Sequence, residues 1–408
     1  MKTLLLILFY FSFVWANNFE FFDENTQSTF DNDISKSNFK LRANYDNNED
    51  FDSEEKSLVF YHNIKDENYN IDYDIFTSND IYNINVKEMY YNFNISSNNY
   101  LNVGRVNIRE GVARSFNPSD YFKGSGVFSN SLQSSVRKDN RLGSVLFQNI
   151  LYLNNSTLKF IYSPKISTKN NTILSNKEHY GLNFDITNNS NRASIYLDLD
   201  ILNNLYSSFI IHKNSDDLNF ASNLSYSFNQ FIFYNENSIK RSSNTISKAL
   251  KQLNLSNTKF DNSKQTIYQN TFGLSYTSIN NIVTNIEYIS NNSGMSKEDW
   301  KNYFLLINQN RRYLNVRKYH SINEQMISKE QVFLRVAINE ITSNSDLSFI
   351  YILNPNDKSS LAQISHKYKY KEDIVFNLSI KKTYGDSQSE FGNIDNKLSF
   401  NTWLEYYF

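Results

Sequence analysis

The sequence predicts an all-β protein, a transmembrane antiparallel β-barrel of about 16 strands within a range of about 14 to 18, with short loop helices. Three observations support this prediction. Apolar and polar residues alternate over segments of about ten residues. An apolar segment opens the chain, and none of the 408 residues is a cysteine.

The alternation has a period of two residues and is the dominant pattern along the chain. Ile195, Leu197 and Leu199, for example, alternate with Ser194 and Asp198. The same pattern occurs at 158–162, 332–338, 347–353 and 374–380. Strands of about 9 to 11 residues cross a bilayer with tilt, whereas soluble strands average about five or six. A β-sandwich shares the alternation, but the strand lengths favour a barrel, and no repeat of about 20 to 50 residues indicates a propeller or solenoid.

The N-terminus has the pattern of a secretory signal. Met1-Lys2 precedes an apolar run from Leu4 to Trp15, and Ala16 is followed by polar residues. This run is shorter than the roughly 20 residues that a membrane-crossing helix needs, so it is interpreted as a cleaved signal peptide. The prediction divides the chain into a signal peptide (1–16), a flexible N-terminal segment (17–36) and a barrel (37–408).

The composition excludes some classes of protein. A mean hydropathy of -0.56 does not contradict a membrane barrel, because only every second strand residue faces lipid. The absence of cysteine favours a bacterial envelope protein over a eukaryotic secreted one. The formal net charge of -1 gives no support for a nucleic-acid partner.

The C-terminus is an alternating strand that ends on an aromatic residue. This arrangement resembles the signal by which the insertion machinery of bacterial outer membranes reads the last strand of a barrel. The residues assigned to this predicted assembly signal are Phe400, Leu404, Tyr406 and Phe408.

The segment 109–141 is the least strand-like part of the chain. It contains Gly111, Gly124 and Gly126 together with Pro118, which favour tight bends of the backbone. Between residues 105 and 141 there are seven basic and three acidic residues.

Two parts of this region carry a resemblance to a known family. Gly104-Arg105 followed by the loop motif 117–122 (Asn-Pro-Ser-Asp-Tyr-Phe) resembles porin-like outer-membrane barrels of proteobacteria. The segments 294–300 and 332–337 are similar to that group as well, and together the matches cover about a fifth of the chain. The resemblance implies a barrel for passive diffusion of small solutes, with a loop folded into the lumen.

We therefore predict a pore constriction in this loop, with a mild anion preference because rings of basic residues attract anions. An exposed surface loop is the alternative interpretation. The residues assigned to the constriction are Arg105, Arg109, Glu110, Arg114, Asp120 and Lys123.

Two segments depart from the strand pattern. Trp300, Tyr303, Phe304 and Ile307 have helical spacing, and Ser296 with Asp299 forms a capping pattern in front of them. The spacing from Ile246 to Leu253 is helical too, so short loop helices are predicted at both places.

Other functions are less well supported by the residues. The five histidines are scattered, and neither a nucleophile elbow nor a zinc-ligand spacing is found, so the protein is predicted not to be an enzyme and to need no cofactor or metal. A surface adhesin, a structural envelope protein and, less well supported, a barrel-embedded hydrolase stay as alternatives. The expected partners are outer-membrane lipid, the insertion machinery and small solutes; a homo-oligomer is compatible with this class, but no interface pattern indicates one.

Overall fold

The computed structural model describes residues 36–48, 53–78, 81–123, 138, 140–168, 179–202, 204–252, 263–306, 313, 316–317, 319–321, 323, 325–393 and 398–408. The predicted signal peptide lies outside the described residues, as does all of the predicted N-terminal segment except Lys36.

The described residues form nineteen strands and three helices. The strands are β1 (Lys36–Asn48), β2 (Ser53–Lys65), β3 (Tyr69–Ser78), β4 (Ile81–Ser96), β5 (Asn99–Val106), β6 (Ser144–Leu153), β7 (Ser156–Ser163), β8 (His179–Gly181), β9 (Arg192–Leu202), β10 (Leu205–Asn214), β11 (Asp217–Phe228), β12 (Phe231–Ser242), β13 (Gln265–Thr277), β14 (Ile282–Asn291), β15 (Glu330–Thr342), β16 (Ser345–Asn354), β17 (Ser359–Lys371), β18 (Ile374–Tyr384) and β19 (Leu398–Tyr407). The helices are α1 (Phe184–Thr187), α2 (Thr245–Gln252) and α3 (Lys297–Leu306).

Eighteen of these strands close into an antiparallel barrel, because each pairs with the next and β19 pairs back onto β1. β8 is the remaining strand; it pairs in parallel with β4 over three residues, and β7 pairs directly with β9. The expected class of fold is thus confirmed, and the eighteen strands lie at the upper limit of the predicted range, above its central value of about 16. The count exceeds that central value because many of the connections consist of only two residues, such as 229–230 and 343–344.

The two ends of the barrel differ in the length of their connections. At one end, here called the short-turn rim, the connections contain two to four residues, from 66–68 through 372–373. At the other end, the long-loop rim, four connections exceed twenty residues, namely 107–143, 164–191, 243–264 and 292–329.

The two faces of the strands have opposite polarity, as the alternation predicts. On β9, Ile195 and Leu197 are exposed on the outer face, whereas Tyr196 and Asp198 are buried on the lumen face. Leu378 is likewise exposed on the outer face of β18. The outer wall is therefore largely apolar, as expected of a surface that contacts lipid.

Both predicted loop helices are present, as α2 and α3. The predicted cap of α3 forms: Asp299 Oδ2 accepts hydrogen bonds from the Ser296 N–H at 2.8 Å and its hydroxyl at 2.7 Å, and the Asp299 N–H donates to Ser296 Oγ at 3.3 Å. The two helices pack together through a buried cluster that includes Leu250, Trp300 and Tyr303. No helix within the described ranges has the length and hydrophobicity to cross a membrane.

A charge on the outer wall should destabilise the barrel in lipid. Leu378→Arg places a cation on the apolar face of β18, and we expect a loss of about 2–4 kcal/mol in the free energy of unfolding if the site lies near the bilayer midplane. Asn377→Arg, which points into the lumen from the next position, is the matched control and should cost less. Urea unfolding in lipid vesicles measures both; equal losses would contradict the assignment of the faces.

Candidate functional site

The candidate site is the part of connection 107–143 that lies inside the barrel. Its residues Ile108 and Phe122 pack against Tyr196 and Ile210 on the inner wall. Further along the loop, Phe116 packs in a second cluster, on the opposite side of the lumen. That cluster also contains Ile289, Met326, Phe333, Ile350, Ile352, Leu361 and Phe391. The loop therefore crosses the lumen from one wall to the other.

Glu236, on β12, attaches the loop to the barrel wall through hydrogen bonds. Its side chain is fully buried, and its Oε1 accepts the backbone N–H groups of Val112 and, at 2.7 Å, Ala113. The Asn117 amide donates to the same carboxylate at 3.3 Å, and the Ser119 hydroxyl donates at 3.2 Å. A buried carboxylate thus obtains several donors from one short piece of loop.

Glu287, on β14, repeats this arrangement for the next two loop residues. It accepts the N–H of Arg114 at 2.5 Å and that of Ser115 at 3.0 Å, and the Ser115 hydroxyl also donates to it. The Tyr234 hydroxyl donates to Glu287 Oε1 at 2.5 Å. The Tyr234 ring lies across Gly273, which sits between these two residues in the sheet register, and a β-carbon at Gly273 would come within 2.2 Å of that ring.

The two carboxylates are the main attachment of the loop tip to the wall. A hydrogen bond to a charged group contributes about 1.5–3 kcal/mol, and a buried carboxylate without partners is strongly unfavourable. Each side depends on the other, because the loop N–H groups would lack partners without the glutamates and the glutamates would be buried and unpaired without the loop. The attachment therefore fixes the loop in one position.

Gly111 allows the backbone to approach this closely. Its φ of +82° is a conformation that other residues adopt only with strain, and a β-carbon there would lie 2.7 Å from both carboxylate oxygens of Glu236. Gly111, for which the sequence predicts a tight bend, thus allows the loop backbone to contact Glu236 on β12.

The base of the loop is held by a second set of contacts. Asp120 and Arg141 form a buried ion pair at 2.9 Å, and Arg141 Nε donates to Asn107 Oδ1 at 2.8 Å. Lys138 Nζ donates to the carbonyl of Gly111 at 2.8 Å. These bonds link both ends of the connection to its middle.

The six residues predicted for the constriction occupy different positions. Arg105 is buried at the long-loop rim, where it donates to the carbonyls of Gly143 (2.9 Å) and Leu182 and to Thr187 Oγ1 (3.1 Å). Asp120 is in the buried ion pair, and Lys123 donates to the Asn117 carbonyl at 2.7 Å. These three hold the loop and its surroundings in place.

The other three residues are less buried, to different degrees. The Arg109 side chain is 41% exposed and lies 3.6 Å from Glu88, and Arg114 is partly exposed. Glu110 forms an ion pair with Lys159 at 3.1 Å, and that lysine also contacts Asp198 at 3.0 Å. This part of the loop thus carries two partly exposed arginines and a carboxylate that shares its lysine partner with Asp198.

Sequence reasoning missed Glu236, Glu287 and Tyr234. Each of the glutamates is the single acid of its strand, and its lumen-facing neighbours include Ser238 on β12 and Asn285 on β14. That isolation was the available signal, but it does not reveal which loop the acid contacts.

Solved structures with the same architecture identify the fold. The chain is similar to OccK5 (OpdH) of Pseudomonas aeruginosa, with a TM-score of 0.55, 10% identity, and coverage of 91% of this chain and 97% of that one. It is similar to OprD of the same organism (TM-score 0.53, 11% identity, 92% and 95% coverage) and to OccAB1 of Acinetobacter baumannii (TM-score 0.56, 7% identity, 92% and 96% coverage). The chain has the fold of the bacterial outer-membrane porins. No family model and no curated protein matches the sequence.

The C-terminal residues of this porin-like barrel lie where the alternation places them. Phe400, Leu404 and Tyr406 are on the outer face of β19. Phe408 follows the strand, donates its N–H to the Phe39 carbonyl at 3.2 Å, and packs its ring against Tyr406 at 4.7 Å.

Another buried carboxylate, Glu390, joins the loops at the long-loop rim. Glu390, between β18 and β19, accepts hydrogen bonds from Ser328 Oγ and, at 3.0 Å, from Asn354 Nδ2. Its backbone carbonyl accepts from Arg317 Nη1 at 3.1 Å, and its N–H donates to Asp357 Oδ2 at 2.7 Å. Burial, reinforced by Asp357 and opposed by Arg317 and the hydrogen bonds, raises the pKa of Glu390 to about 7.

Removing the wall carboxylates should release the loop. The double variant Glu236→Ala with Glu287→Ala eliminates the acceptors for residues 112–115, so we expect trypsin to cleave after Arg109 and Arg114 at least about tenfold faster in the folded barrel. Glu405→Ala removes a lumen acid that contacts β1 and not this loop, and it is the control. Equal cleavage of the double variant and the control would contradict the anchoring role.

Loop packing at the long-loop rim should weaken as the pH rises. An ordinary glutamate has a pKa of about 4.3, so the raised pKa of Glu390 means that the folded form binds the proton more tightly than the unfolded form. This contribution to stability is complete below about pH 4 and is lost as the pH rises through about 7. We expect faster limited proteolysis of connection 292–329 at pH 8 than at pH 5, relative to Glu390→Gln at each pH. The exposed Glu298→Gln is the control, and a constant ratio between wild type and Glu390→Gln would contradict the prediction.

Proposed function

We propose that the protein is a channel of the bacterial outer membrane through which small hydrophilic solutes diffuse passively. The porin-like fold and the polar inner wall support this proposal, because a barrel of eighteen strands is wide enough to hold an aqueous passage. The apolar segment 1–16 supports export to the envelope.

The loop crossing the lumen is the proposed constriction. It is attached to both walls, so it narrows the space left for solutes. Within it, Arg109, Glu110 and Arg114 face that space, whereas Arg105, Asp120 and Lys123 act as positioning residues.

The observation that carries the proposed anion preference is the unequal exposure of the charges. Glu236 and Glu287 are buried under loop N–H groups, and Glu110 is paired with Lys159. Arg114 stays partly exposed, and so does Arg109 although it lies 3.6 Å from Glu88. On the wall where β19 pairs with β1, Glu405 forms ion pairs with two cations, Lys40 at 3.5 Å and Arg42. The charge presented to a passing solute is therefore positive, and anions are favoured.

The last strand supplies the proposed assembly signal. Phe400, Leu404 and Tyr406 form an apolar outer stripe that ends next to Phe408, and such a stripe is accessible to the insertion machinery while the barrel is incomplete. By the usual arrangement of such barrels, short turns face the periplasm and long loops face outward, which gives the proposed orientation.

Planar-bilayer recording of the purified chain in a salt gradient tests the channel and its selectivity together. We expect stable conductance steps with an anion-selective reversal potential, and we expect Arg109→Gln with Arg114→Gln to move that potential towards zero. Lys382→Gln, which removes one positive charge from the outer face of β18, is the control and should change nothing.

Two outcomes would contradict the proposal at different levels. An unchanged reversal potential in the double variant would remove these arginines as determinants of selectivity. A barrel whose gel mobility shifts on heating but which carries no current would contradict the channel itself and favour a role for the long loops in adhesion.

A further inference from the structure

The outer wall carries an apolar groove that the channel function does not use. It has a volume of about 420 Å³ and crosses five neighbouring strands, β5, β6, β7, β9 and β10. The sheet register shows how it is built, since two adjacent rows of outward side chains form its sides. One row is Leu101, Asn149, Phe160, Ile195 and Ile211, and the other is Phe147, Tyr162, Ala193 and Lys213.

Ala193 creates the depression in the second row. It lies directly between Tyr162 on β7 and Lys213 on β10 in the register, where its methyl group leaves space that a larger residue would fill. The surrounding aromatic and aliphatic side chains, including Phe147 and Ile211, are nearly half exposed. With strands about 4.8 Å apart, five strands give the groove a length of about 19 Å, so it is long and narrow.

One end of the groove is basic. Lys213 is the next-to-last residue of β10, at the long-loop rim, and Lys165 lies at the same rim just after β7; both are exposed. Asn191 joins the two segments, because its Oδ1 accepts the Lys165 N–H at 2.7 Å and its carbonyl accepts the Ser215 N–H at 2.9 Å. Lys213 thus lines the groove, and Lys165 lies at the same rim in the loop that follows the middle strand of the groove.

We propose that this groove binds one acyl chain of a lipid whose phosphorylated head group is held by Lys165 and Lys213. The occupant follows from the chemistry of the site: the groove lies in the lipid-facing wall, it is long, narrow and apolar, and its one polar end is positively charged. Lysines at the end of an apolar surface extend their ammonium groups towards lipid phosphates. A second copy of the chain is less well matched, because a protein partner needs a broad complementary surface, not a narrow slot.

Native mass spectrometry of the delipidated barrel in a neutral detergent tests the proposal. The probes are phosphatidylglycerol and phosphatidylcholine with identical acyl chains. We expect the first phosphatidylglycerol to bind more tightly than phosphatidylcholine, by about fivefold for each lysine. Lys165→Gln with Lys213→Gln should remove this preference and leave phosphatidylcholine binding unchanged.

The apolar part of the site is tested by filling it. Ala193→Trp should weaken binding of both lipids, whereas Ala43→Trp makes the same change on the outer face of β1, away from the groove, and should have no effect. Lys382→Gln, which removes one lysine from the outer face of β18 away from the groove, is the control for the lysines and should keep the preference for phosphatidylglycerol. A shift in gel mobility on heating confirms that each variant is folded.

Several results would overturn the proposal. Equal binding of the two lipids to the wild type would eliminate the phosphate site. Equal effects of Ala193→Trp and Ala43→Trp would mean only general lipid contact with the wall. If the mass spectra showed a dimer of the wild type that Ala193→Trp abolishes, the groove would instead be the binding site of a second copy of the chain.

Discussion

Two buried carboxylates on the barrel wall hold the interior arrangement of this protein in place. Glu236 and Glu287 accept backbone N–H groups from four consecutive loop residues, 112–115. Backbone donors of a loop inside a barrel need partners, because few other groups within reach can accept them. The position of the loop, the exposure of Arg109 and Arg114, and the covering of the negative charge all depend on this pairing.

The same pairing underlies the anion preference proposed for the lumen. The chain as a whole is nearly neutral, with 41 basic and 42 acidic residues. Inside the barrel, however, acids are used as acceptors in buried contacts while several cations keep access to solvent. The charge exposed to the lumen thus depends on which side chains are buried, and a count of residues does not give it.

The fold could be predicted well from the sequence, because it depends on a local pattern. Alternation at β7, β9, β15, β16 and β18 requires one lipid-facing and one polar face, and the cap at Ser296 and Asp299 requires only residues three positions apart. The strand count was harder to predict, since it depends on the lengths of the turns. The partners of the loop were beyond sequence reasoning, because Glu287 lies 173 residues from Arg114 and only the closed barrel brings them together. Arg105 shows the same limit: its position in a loop-flanking motif suggested the pore, but its side chain is enclosed at the rim by residues up to 82 positions away.

Closure between β1 and β19 has a consequence for how the chain folds. The Arg42 and Glu405 side chains that meet across this seam are 363 residues apart, so the contact forms only after nearly all the intervening strands are in order. Contacts of such long range slow folding, because the chain loses much entropy before they form. Until then, the incomplete sheet presents two unpaired edges that can join other chains. A weakened first or last strand would therefore reduce the yield of folded protein mainly during assembly, while these edges are unpaired. Its effect on the stability of the finished barrel would matter less.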